Sequence, residues 1–128
     1  MNKDLEYIEN FLIRSLKKHK SVFKEGTNAS GNYEVHGTIE AMQGKQKVDG
    51  YYFSTVVPKP KDVRLYFFPM YTHREKLFDG MSVELAKFLK GKSCYHIKFL
   101  NDVLEVEIDK LIATAVRIYQ EDGLLAKS

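Results

Sequence analysis

At 128 residues, 44% of them hydrophobic and 29% charged, the chain suits one domain with a core that needs no staples. Its net charge of +3 falls short of the one-sided charge of a dedicated nucleic-acid binder, so no nucleic-acid partner is expected. One cysteine, Cys94, excludes an intrachain disulfide, and no apolar run approaches the roughly 20 residues that span a bilayer, so no membrane partner is expected either.

The opening MNKDLEYIENF carries acids where a secretory leader needs an apolar run, so no signal peptide is expected, and the expectation is a soluble, bacterial-type cytoplasmic protein. The spacing of Leu5, Ile8, Leu12, Leu16 and His19, widened by Phe11 and Ile13, predicts a helix over 3–20. Lys17, Lys18 and Lys20 fall in its last turn, where cations suit the negative end of the dipole. That explains KKHK better than a phosphate patch does. Residues 24–31 are the most loop-like stretch, punctuated by Gly26, Asn28, Ser30 and Gly31. Asn28-Ala29-Ser30 matches a glycosylation triplet by chance, since no secretion signal accompanies it.

Residues 32–42 alternate as a strand, with Tyr33, Val35 and Ile39 on one side and Glu34, His36, Thr38 and Glu40 on the other. A three-residue turn, Gly44-Lys45-Gln46, places Ile39 opposite Tyr51 and Val35 opposite Thr55. A two-residue turn flips the strand, so burial favours three. Strands at 48–57 and 63–69 flank Pro58, Pro60 and Asp62 as a hairpin. Pairing Val57 with Val63 puts Phe53, Thr55, Val57, Val63, Leu65 and Phe67 on the core side. Tyr52, Ser54, Val56, Arg64, Tyr66 and Phe68 take the other side.

Thr72 and Glu75 have capping-box spacing and predict a short helical turn to Phe78, closed by Gly80. Ser82 caps a helix over 82–90, with Gly91 at its C-terminal end. A strand at 94–99 turns Tyr95, Ile97 and Phe99 one way and Cys94, His96 and Lys98 the other. Asn101-Asp102 reads as a turn, and a last helix over 106–122 ends at Gly123. The order α-β-β-β-α-β-α defines an α+β class: one domain with an antiparallel-type four-stranded sheet and helices packed on one face.

Three stretches carry a family resemblance. They are Phe67-Phe68-Pro69-Met70-Tyr71-Thr72, the run Leu89 to Lys98 with its Gly91-Lys92-Ser93 centre, and Leu111-Ile112 followed by Val116, Tyr119 and Gly123. Over residues 31–125 their order and spacing resemble the YdhG-like family, a bacterial domain of unknown function. The resemblance implies one compact α+β domain over 1–128. For some relatives it also implies frataxin-like iron handling.

The tyrosine-bearing sheet side is the leading candidate for function. Strand parity brings His36, Tyr52, Ser54, Arg64, Tyr66 and His96 together, with Thr38 beside them. An arginine between tyrosine rings gains cation–π attraction and keeps its donors outward. A small anionic or polar ligand, or an acidic peptide, is the expected partner of such a binding module, and the bland alternative is a wet face with no ligand. No metal or other cofactor is expected: Cys94, His96 and His36 lack a fourth ligand for structural zinc. A thiol-dependent enzyme using Cys94, with His96 as base, is a further reading. Glu105, Glu107 and Asp109 form the densest acidic group, explained by the dipole of the helix they begin.

Overall fold

A computed structural model of the chain describes residues 1–26 and 31–127, and the Asn28-Ala29-Ser30 triplet lies outside them. Helix α1 (Leu5–Lys17) begins where the Asp4 carboxylate accepts from the Glu6 amide. It buries Ile8, Phe11, Leu12 and Leu16 and ends before His19, because the next residues tighten into a 3₁₀ turn at Lys20–Val22. The chain continues as β1 (Phe23–Glu25), β2 (Tyr33–Gly37), β3 (Ala41–Gln43), β4 (Gln46–Val48), β5 (Tyr52–Pro58) and β6 (Val63–Phe67). Short helices α2 (Pro69–Thr72), α3 (Arg74–Leu77) and α4 (Val83–Phe88) lead to β7 (Leu89–Lys90), β8 (Cys94–Ile97) and the long α5 (Asp102–Glu121).

Among the described residues the main sheet has six strands, not the expected four, in the order β1-β2-β5-β6-β8-β7 with every pair antiparallel. The two additions are short edges. β1 runs into the stretch read as a loop, and β7 replaces the end of the helix read over 82–90. Strands of two or three residues have no alternation to read and exist because a neighbour supplies their hydrogen bonds.

The expected strand 32–42 is broken. β2 stops at Gly37, and β3 and β4 form a separate ribbon whose pairs, Ala41↔Val48 to Gln43↔Gln46, enclose a two-residue turn. Gly44 at φ +63° supplies the left-handed position that such a turn requires. The expected three-residue turn is therefore wrong. Ile39 lies outside the sheets at 36% exposure rather than in the core.

A bulge in β5 decides the faces. Val35 pairs with Ser54 and His36 with Tyr52, so Phe53 has no partner on β2. One extra residue reverses strand parity beyond it. Across β6 the pairs are Ser54↔Phe67, Val56↔Leu65 and Val57↔Arg64, one residue away from the expected register. Ser54 and Val56 therefore share the side of Phe67 and Leu65, while Thr55 and Val57 share the side of Tyr66 and Arg64. This corrects the expected sides of all four. Phe53 stays in the core, edge-on to Phe67 at 5.4 Å and to Tyr119 of α5 at 5.6 Å.

Helices α1 and α5 cover this side of the sheet, and Ile8, Leu12, Leu65, Ile97, Ile112 and Tyr119 close the core. α5 begins four residues earlier than expected, because Asn101 is not a turn residue but an N-cap accepting from the Leu104 amide at 2.8 Å. Ser82 caps α4 through the Leu85 amide, as expected. The Thr72–Glu75 capping box does not form. Thr72 ends α2, and its hydroxyl bonds the Tyr119 hydroxyl at 2.7 Å instead. No helix among the described residues is long and apolar enough to cross a membrane.

Candidate functional site

With helices on one side only, the other side of the sheet is uncovered, and its registers set side chains in rows across the strands. One row runs Lys24, His36, Tyr52. The next runs Glu34, Thr55, Tyr66, Cys94. The third runs Val57, Arg64, His96. Five of the six residues expected to form the site, His36, Tyr52, Arg64, Tyr66 and His96, thus share this face. Ser54 does not. It is 0% exposed on the core side, and its hydroxyl donates to the Tyr66 carbonyl at 2.7 Å.

The face divides into two polar ends. At the β2 end His36 Nε2 donates to Glu34 Oε2 at 2.6 Å, and its ring lies 5.3 Å from that of Tyr52. An ionised carboxylate only accepts, so Nε2 carries a proton and Nδ1 is the ring nitrogen not engaged by Glu34. The Tyr52 hydroxyl is bonded to Thr55 Oγ1, which reaches Glu34 Oε1 at 3.5 Å. Burial pushes Tyr52 up to about 12, so its proton is held through the neutral range. Glu34, His36 and Tyr52 border a cavity of about 620 Å³ between the sheet and the β3–β4 ribbon, which Lys24, Gln43 and Asp49 also line. Gly50 forms part of its wall: a Cβ there would lie 2.0 Å from the Gly37 carbonyl oxygen, so only glycine lets the ribbon return against β2.

At the β8 end Arg64 Nε donates to the Asp62 carboxylate at 3.3 Å. The expected arginine between tyrosine rings is not formed: among the described residues no aromatic ring receives the Arg64 guanidinium. Asp62 Oδ2 is 3.7 Å from His96 Nδ1, too long for a hydrogen bond. Burial and the neighbouring Arg64 cation hold His96 below its ordinary value despite Asp62, so it is neutral near pH 7. Burial pushes the Cys94 thiol up, the reverse of what an activated nucleophile needs.

Glu105, Glu107 and Asp109 of α5 each have their own partner. Glu105 accepts from the Tyr7 hydroxyl at 2.8 Å, Glu107 from the amide and hydroxyl of Ser82, and Asp109 from Ser15 and Lys18. They tie α1 and α4 to α5 rather than sitting as free charges at its start. Among the described residues no three His, Cys, Asp or Glu side chains converge as a metal ion requires. A further chain of polar groups runs from Tyr119 through Thr72 to His73 Nδ1, while His73 Nε2 donates to Asp122 at 2.6 Å. It staples the α2–α3 junction to the end of α5. A second cavity, about 490 Å³ between residues 76–82 and α5, contains none of the expected site residues.

Sequence reasoning passed over Glu34, Thr55 and Asp62. Glu34 was legible, since a carboxylate two residues from a histidine in one strand shares its face. Thr55 was hidden by the bulge.

Fold and site together define an α+β domain with one uncovered antiparallel sheet face and a polar cavity at its β2 end. No family model, curated protein or solved structure matches the chain.

Proposed function

We propose that this chain is a small binding module that holds a polar ligand on the uncovered sheet face. The observation that carries the reading is the Glu34–His36–Tyr52 group, ordered by its own hydrogen bonds and open to a cavity large enough for a small molecule. Asp62 already serves Arg64, so the face is better suited to a polar ligand than to a bare anion or an acidic peptide. Neither iron handling, which comes with the YdhG-like resemblance, nor thiol catalysis at Cys94 gains support from the geometry.

Amide chemical-shift titrations with phosphate, acetate, putrescine and methyl glucoside test the reading. Saturable shifts confined to β2, β5, β6, β8 and the ribbon are expected from at least one probe. Silence from the whole panel, or shifts confined to α1 and α5, overturns it. Arg64→Ala separates the ends: loss of a phosphate or acetate response assigns binding to Arg64, and its retention assigns binding to the β2 end.

A further inference from the structure

We infer that the ligand class of this face is a saccharide, bound in the cavity between β2, β5 and the β3–β4 ribbon. The inference rests on the binding reading above and narrows it. A sugar has two chemical demands. Its ring of hydroxyl groups needs both acceptors and donors at close spacing, and its C–H face needs an aromatic or apolar wall.

The cavity offers both. Glu34 and Asp49 supply carboxylate acceptors, and His36 presents its second ring nitrogen, Nδ1, because Nε2 is committed to Glu34. Gln43 accepts from the Tyr52 amide at 3.3 Å through its oxygen, which leaves its NH₂ group as a donor, and Lys24 also lines the cavity. The tilted His36 and Tyr52 rings form one aromatic wall, and the bond from the Tyr52 hydroxyl to Thr55 fixes that ring in place. The volume of about 620 Å³ lies within the range of small-molecule sites. Two alternatives fit worse. A plain anion meets Glu34 and Asp49 at the wall, and a hydrocarbon leaves the polar lining unpaired.

The test titrates the chain with methyl glucoside, methyl galactoside and N-acetylglucosamine, with inorganic phosphate alongside. At least one sugar is expected to give saturable shifts at the amides of His36, Gln43 and Gly50. Gln43→Ala and Asp49→Asn alter partly or fully exposed side chains and leave the fold intact. Each is expected to weaken sugar binding by about tenfold, the loss of one hydrogen bond that involves a charged or strongly polar group. Tyr52→Ala, which removes the aromatic wall, should lose binding, and Lys110→Ala on α5 should leave it unchanged. Sugar shifts that ignore the Gln43 and Asp49 substitutions overturn the assignment. A phosphate response with no sugar response overturns the saccharide and leaves the binding module standing. Silence from every probe overturns both.

Discussion

The two faces of one sheet are built from alternate residues of the same strands, yet they are closed by different physics. On the helix side Phe53, Leu65, Phe67, Tyr95 and Ile97 exclude water by filling space against α1 and α5. On the open side Thr55 and Val57 are also buried. Their cover is the neighbouring side chains, Tyr52 bonded to Thr55 and Tyr66 beside it, while Tyr66 itself stays 37% exposed. Packing against a second layer fixes one face by volume. The other is ordered by hydrogen bonds between its own residues.

The comparison breaks most sharply at position 67. Phe67→Ala is expected to cost about 3–5 kcal/mol, read as a shift of the urea midpoint, because it opens a cavity among Phe53, Leu65 and the helices. On the opposite face Tyr66→Ala is expected to stay within about 1 kcal/mol. Equal losses at the two adjacent positions would dissolve the distinction between the faces. The backbone contact that shapes the open face comes next: Gly50→Ala forces a Cβ onto the Gly37 carbonyl and is expected to cost about 1–3 kcal/mol. Its urea midpoint should fall while the shifts of α1 and α5 hold. An unchanged midpoint would mean that the ribbon yields freely. A smaller loss belongs to the helix layer. Asn101→Ala removes the cap of α5 and should cost about 1 kcal/mol, whereas Asn101→Asp should retain most of it.

The smallest effect is expected from pH. His96, facing Asp62, Arg64, Lys90 and Lys98, and His19, beside Lys18 and Asp109, are both held below 6.5, chiefly by burial. The unfolded chain therefore takes up those protons first as pH falls. Stability should be flat above about pH 6.5 and decline below it, until the folded-state values are passed. His96→Gln should shallow that decline. Asp109 acts lower on the scale. Burial pushes it up, but the bonds from Lys18 and Ser15 outweigh this and hold it below 3.8. Its contribution is present above the ordinary carboxylate range and is lost as pH falls through the folded value. A midpoint that rises on acidification between pH 7 and 5 would contradict the histidine assignment.

Much of the fold was legible where one residue period persists long enough to be read. The stripe of α1, the stripe of α5 and the alternation of Val63, Leu65 and Phe67 each report a buried face through local repetition. Capping chemistry is similarly local, so Ser82 and Gly123 stand where their residue types place them. The face of Arg64, Tyr66 and His96 followed from the same alternation.

What the amino-acid sequence determined by itself is therefore the α+β class, the apolar stripes of the main helices and the face of each unbroken strand, because these follow from periods of 3.6 and 2 within a single segment. Only the tertiary structure decided the rest. The bulge at Phe53 moved Ser54 and Val56 inward and Thr55 and Val57 outward, since an extra residue is fixed by how β5 meets β2 on one side and α5 on its face. The edges β1 and β7 arise from hydrogen bonds lent by β2 and β8. The cavity exists because Gly50 lets the ribbon return beside Glu34, His36 and Tyr52, a close approach between segments that no local pattern encodes.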